Sequence, residues 1–248
     1  MTKHRKNKRI PRYQNYLEQE QRDVYSNITI EGKTEGQKLL IDTIYGNDIT
    51  FVIGPGGCGK TYLSTSIGLK ALLQDEYKRL IITRPVIESG AGLGYLPGSF
   101  QAKMNPYMIP IYEEMEKHLP QNTVKSMLGN SVGKRIEIVP FEYMRGRNFH
   151  DCYIVADEFQ NAEEKQIEML LSRVGENSKI VLGGDFRQTD LYKHNYISIG
   201  RMRYLAQNIK GIAFVELEEK DIVRSRIVAE LAKYWRKYDE EKESRSFK

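Results

Sequence analysis

The stretch "ITFVIGPGGCGKT", residues 49–61, decides the fold. Five apolar or β-branched residues give way to "GPGGCGKT" (54–61), which matches G-x-x-x-x-G-K-[ST] without a gap. A short buried strand that runs through such a turn into a helix forms a cradle for phosphate. Its glycines let backbone N–H groups turn inward around phosphate oxygens, and the helix start adds the positive end of its dipole. In that arrangement Gly54, Pro55, Gly56, Gly57, Cys58, Gly59 and Tyr62 form or follow the loop. Lys60 reaches the β- and γ-phosphates, and Thr61 offers its hydroxyl to magnesium. The neighbours of Cys58 are chosen for backbone shape, so its thiol fills space in the cradle and is no redox switch.

Working outward, short apolar runs alternate with longer amphipathic ones, the pattern of a parallel sheet with crossover helices. Strands are predicted at 49–54, 79–84, 135–140, 152–156, 179–184 and 211–217, and helices at 60–74, 100–118, 163–173, 198–208 and 222–236. Most of the strands are too continuously apolar to be half-exposed, so helices should cover both faces. Trp235 lies on the apolar stripe of the last helix and reads as a packing residue. The glycine-rich stretch 85–99 is the obvious long loop.

A phosphate cradle alone does not separate a kinase from a GTPase or a motor. "YIVADE" puts Asp157 and Glu158 where a buried strand runs out, and in a parallel sheet that end lies beside the phosphate loop. Asp157 would hold magnesium through its water shell, and Glu158 would orient and deprotonate an attacking water. A small-molecule kinase needs no such base, and the guanine-reading N-K-x-D of GTPases is absent. Gln160 follows as D-E-x-Q, the pattern of helicase-like ATPases, where it would link the γ-phosphate to a moving element. The next strand ends "GGDFRQ", and Gln188 there would sense the γ-phosphate.

Composition bounds the rest. The 248 residues are 40% hydrophobic and 29% charged, ordinary for one large globular domain with a real core. No run approaches the roughly 20 apolar residues that span a bilayer, so no membrane partner is expected. Two cysteines make a disulfide framework or zinc site improbable and point to the cytoplasm. The net charge is +5, but the first twelve residues carry Lys3, Arg5, Lys6, Lys8, Arg9 and Arg12 without an acid. That arm is either a solubilising tail or an attractor for polyphosphate. The expected organisation is a basic arm at 1–24, one ATPase domain at 25–237 and a charged tail at 238–248.

The stretches "GPGGCGKT", "ITRPVIESGAGLGYLPG", "PFEYMRGRNFHDCYIVADEFQN", "GGDFRQTDL" and "KDIVRSRIV" resemble, in order and spacing, the PhoH-like ATPases over roughly residues 30–235. The resemblance implies an α/β, RecA-like P-loop NTPase fold, similar to the first motor domain of superfamily-one helicases. It implies ATP and Mg2+ as cofactors, hexameric rings and, for some members, a link to RNA unwinding. It assigns phosphate and magnesium binding to Lys60 and Thr61, hydrolysis to Asp157 and Glu158, and γ-phosphate sensing to Gln188. Gln37 resembles the helicase glutamine that reads adenine, although a lone upstream glutamine is also common as plain polar surface. Some members carry an N-terminal PIN ribonuclease domain, for which the basic arm is too short, so the chain resembles the stand-alone form often found in phages. There are departures: Gly183-Gly184-Asp185 stands where the family usually has Thr-Gly-Asp, Phe159 where it usually has Ala, and "VRSRIV" where it usually has V-R-H-P-L-V.

Phosphoryl transfer gains from an arginine on the transition-state charge. The chain has room for one motor domain, so that arginine is expected from a neighbouring subunit, Arg224 first and Arg226 next. The alternative is surface pairing of these arginines with Glu218 or Glu219. Arg84, the loop 89–98, Arg145 and Arg147 are candidates for contact with single-stranded nucleic acid, RNA ahead of DNA, with Tyr95, Tyr143 and Phe149 nearby in sequence. Each cation could equally be solvated or held in a structural ion pair. Two functions stay open: an ATP-driven motor on nucleic acid, and an ATP-gated ring that binds nucleic acid or protein without unwinding. A protein remodeller is disfavoured by D-E-x-Q and G-D-x-x-Q.

Overall fold

Six apolar runs become β1 (Ile49–Ile53), β2 (Arg79–Arg84), β3 (Ile136–Pro140), β4 (Cys152–Asp157), β5 (Lys179–Gly184) and β6 (Ile212–Glu216). All pair in parallel within one sheet of order β3-β2-β4-β5-β1-β6. Each strand matches its sequence prediction to within one residue at either end. The computed structural model describes residues 28–85, 109–129, 134–186 and 197–223, with helical positions at 227, 230, 231, 234 and 238. The basic arm, the loop 89–98 with Tyr95, Gln188, Arg224, Arg226, Trp235 and the tail beyond Tyr238 lie outside the described residues.

Side chains alternate across a strand, and here both sides find apolar partners. Val52, Leu80, Ile82, Val155 and Val181 face one layer; Phe51, Ile81, Ile154, Ala156 and Leu182 face the other. The first layer holds α1 (Glu35–Gly46), α2 (Lys60–Leu73), helical residues 109–116 and α3 (Gln121–Met127). Leu40, Ile44, Leu63, Ile67, Met115 and Val124 pack from it onto the sheet. The second layer holds α4 (Glu164–Leu171) and α5 (Ile199–Asn208), anchored by Ile167, Leu170 and Met202. Each fully buried aliphatic chain of this size contributes about 1.5–3 kcal/mol. Among the described residues no helix is long and apolar enough to cross a membrane.

Two helices were not foreseen. Thr34 caps α1 by accepting the Gln37 N–H, so the T-x-x-Q at 34–37 marks a helix start. The α1 stripe is short, with Leu40 and Ile44 buried but Leu39 exposed, and its period is weak. α3 has seven residues and one buried side chain, Val124. The helix predicted from 222 begins later: Ile222 and Val223 are non-helical after a 3-10 turn at Glu219–Asp221, and the described helical positions start at Ile227.

The sheet order positions the chemistry. β5 lies between β1, which feeds the phosphate loop, and β4, which ends in Asp157. Val52 and Asp157 both pair with Gly183, so the ends of three adjacent strands meet at one edge. This is the RecA-like P-loop architecture expected from the sequence.

Candidate active site

The loop after β1 is shaped by glycines that a side chain could not replace. Gly57 and Gly59 sit at φ +87° and +89°, where L-residues are strained. Gly59 is the N-cap of α2 and brings no side-chain cap, so the first N–H groups of that helix are left for a ligand. Lys60 is buried at the base, its Nζ donating to Gly54 O at 2.7 Å and Pro55 O at 3.0 Å. Cys58 is fully buried, 3.7 Å from that ammonium. Burial pushes its thiol up, and Lys60 only partly offsets this, so the thiol stays neutral packing.

Across β5, Thr61 Oγ1 donates to Asp157 Oδ1 at 2.8 Å. Asp157 is 4% exposed, and burial raises its carboxyl above the usual range. Arg84 pulls it down, Glu158 pushes it up, and Thr61 and Lys60 pull it down. Glu158 has φ +54°, a left-handed conformation costing a non-glycine about 1–2 kcal/mol, and such strain persists only where the surroundings impose it. Here they do. Gln160 Nε2 donates to Glu158 Oε2 at 2.6 Å, and its Oε1 accepts the Asp185 N–H at 3.1 Å. Arg84 Nη2 reaches Glu158 Oε1 at 3.0 Å and lies 3.8 Å from Asp157 Oδ2.

A hydroxyl and a carboxylate are hard oxygen donors of the kind magnesium takes, with water and phosphate completing its shell. Among the described residues no group of three or more His, Cys, Asp or Glu could hold a metal ion by itself. The donor set therefore fits an ion that arrives with phosphate.

Other predicted residues stand elsewhere. Gln37 is buried behind the loop, its Nε2 donating to Cys58 O at 3.0 Å and Asp221 O at 3.5 Å, while Oε1 accepts the Lys33 N–H at 2.8 Å. Contact with adenine would require exchanging one of these bonds. The Tyr62 ring is stacked on His118, with centroids 5.6 Å apart, and Lys117 lies over it. Arg147 spends both terminal nitrogens on the buried Glu137, each at 2.7 Å, so its fork is occupied by a structural ion pair. Arg145 is exposed beyond the 3-10 turn Phe141–Met144. Lys60, Thr61, Asp157, Glu158, Gln160 and Arg84 thus form one network, and Gln37, Tyr62, Arg145 and Arg147 are not in it.

Sequence reasoning missed Asp221. Its side chain is 2% exposed and accepts from Thr34 Oγ1 at 2.6 Å and the Glu218 N–H at 2.9 Å. Burial opposes its charge, yet bonds from Thr34 and from the Glu218 and Gly36 backbones hold its carboxyl below the usual range. Two residues on, the Val223 N–H donates to Gly57 O at 3.0 Å. The cradle is therefore tied to the chain entering Arg224. The only local signal was E-x-x-D at 218–221, a capping box around a turn.

Fold and site together define a P-loop nucleotide-binding domain of the RecA-like class. A family model described as PhoH-like protein matches residues 29–236, and the chain belongs to that family. The PhoH-like protein of Bacillus subtilis (strain 168) is 37% identical over 203 residues, covering 82% of this chain and 63% of that protein. The PhoH-like protein of Synechocystis is 36% identical over 199 residues, covering 80% and 60%. Protein PhoH of Escherichia coli (strain K12) is 34% identical over 206 residues, covering 82% and 57%. The chain thus spans about three fifths of the length of these relatives. Among solved structures, a Sulfolobus solfataricus SWI2/SNF2 ATPase core in complex with dsDNA aligns at TM-score 0.43 and 16% identity, over 64% of this chain and 33% of that one. Pif1 helicase from Candida albicans aligns at TM-score 0.37 and 15% identity, over 77% and 41%.

Proposed function

We propose that the chain is a Mg2+-dependent ATPase that works in the cytoplasm as a homo-oligomeric ring, a hexamer. Hydrolysis is coupled to binding of single-stranded nucleic acid, RNA ahead of DNA, and to translocation or unwinding. The observation that carries this is the 2.8 Å hydrogen bond from Thr61 to Asp157, next to Glu158 at the same strand end. On binding ATP, Lys60 exchanges the loop carbonyls for phosphate oxygens. Thr61 and Asp157 would hold magnesium, which would supply positive charge against the charge that develops on the phosphate. Glu158 orients the attacking water and accepts its proton. Gln188 senses the γ-phosphate, and Arg224 or Arg226 of a neighbouring subunit completes the site.

The test is ATP turnover with and without single-stranded RNA or DNA, followed by strand displacement on tailed duplexes. Turnover should be stimulated by the polymer, and displacement should follow. Glu158→Gln should lower turnover by about 10²-fold or more while ATP binding is kept. Polymer binding should weaken steeply as salt rises, because phosphate contacts release counterions. Nucleic-acid binding without stimulation or displacement would favour the ATP-gated ring instead. Absence of any ATP turnover would sink the enzymatic reading.

A further inference from the structure

We propose that Arg84 is a positioning residue that restrains Glu158 until a backbone phosphate of single-stranded nucleic acid takes its guanidinium. This rests on the ATPase reading above and assigns the regulation of that same site. Arg84 and Gln160 between them bond both oxygens of Glu158, at 3.0 Å and 2.6 Å. A carboxylate whose two oxygens are both engaged by neighbouring side chains is held in place by them and is not free to turn to an attacking water. The backbone strain at Glu158, with φ +54°, fits a side chain held in place by these partners.

The competing phosphate is not that of the nucleotide. Thr61 bonds Asp157 through Oδ1, whereas Arg84 approaches through Oδ2. In the sheet, β2 flanks β4 on the side opposite β5 and β1, so Arg84 comes to the carboxylates from the side away from the cradle. It ends β2 beside the end of β4, and its side chain is 21% exposed, within reach of a ligand outside the cradle. A guanidinium fork suits a phosphate as well as a carboxylate, so the two compete for one group. When phosphate wins, Glu158 keeps only Gln160 and turns its freed oxygen to water.

Steady-state ATP turnover of the full chain, Arg84→Gln and Arg84→Lys, with and without poly(U) at one fixed salt concentration, tests this. Arg84→Gln should raise the polymer-free kcat about threefold or more with KM for ATP within about twofold, and poly(U) should then add less than about twofold. Arg84→Lys keeps the charge but not the fork and should fall between. If Arg84→Gln does not fold, Arg84→Lys decides, by a smaller rise in polymer-free kcat in the same direction. A lower kcat in both variants would mean that Arg84 serves ATP or the transition state, and would overturn the proposal. An unchanged rate with a full poly(U) response would overturn it too. If wild type is active and stimulated but the variants match it, only the role of Arg84 falls. If wild type hydrolyses no ATP in either condition, the ATPase reading falls with it.

Discussion

Gln160 divides its amide between two strand ends, with Nε2 on Glu158 after β4 and Oε1 on the Asp185 N–H after β5. A residue expected to link hydrolysis to a moving element thus ties Glu158 to the backbone at Asp185. Its space depends on Gly184, where an added Cβ would meet Gln160 Oε1 at 2.8 Å and the Phe159 ring at 2.9 Å. Its neighbour differs: a Cβ at Gly183 would lie 3.7 Å from Lys60 Cβ and 3.8 Å from Asp157 Oδ1, an ordinary contact. A methyl group would fit there, so glycine at 183 is not a steric demand. Gly184→Ala should therefore cost about 1–3 kcal/mol through overpacking. Gly183→Ala should be neutral or stabilising by up to about 1 kcal/mol, because the unfolded chain loses freedom. Urea midpoints decide, and equal losses at both positions would refute the contact geometry.

At the scale of elements, Asp221 joins the start of α1 to the turn before Arg224, and Gln37 joins both to the cradle. Gly36 is part of the fit, since a Cβ there would meet the Asp221 carboxylate at 2.5 Å. Asp221→Asn should lower stability at pH 7 by on the order of 1–3 kcal/mol, the worth of hydrogen bonds to a charged group. The sign of its pH dependence follows from a depressed carboxyl. Its contribution is fully present above the unfolded value of about 3.9 and is lost as pH falls through the lower folded value. Urea midpoints of wild type and Asp221→Asn should differ by a constant amount between about pH 7 and 5, and converge only below the ordinary aspartate range. A gap that persists into strong acid would assign the effect to shape instead of charge.

For the molecule as a whole, the proposed ring makes hydrolysis a property of the interface between subunits. Turnover per chain should then rise with protein concentration and fall in Arg224→Ala. Mixing Arg224→Ala with Glu158→Gln chains should restore up to about a quarter of wild-type turnover at equal amounts, since a fraction of interfaces pairs an intact base with an intact arginine. No rescue at any ratio would show that sites are not shared.

The sequence by itself determined the six strands, the cradle, and the placing of Asp157 and Glu158 at a strand end. These are local properties: a continuous apolar run selects a buried parallel strand, and glycine at positive φ with Lys-Thr at a helix start carries its geometry within eight residues. Tertiary structure decided which partner each polar group takes. Thr34 bonds Asp221 across 187 positions, and Arg84 bonds Glu158 across 74. Arg84, Arg145 and Arg147 looked alike as cations, yet Arg84 sits on Glu158, Arg147 on buried Glu137, and Arg145 is exposed. Periodicity reports burial of a face. The choice among many like charges is made by strand order and register, which bring residues distant in sequence within a hydrogen bond of each other.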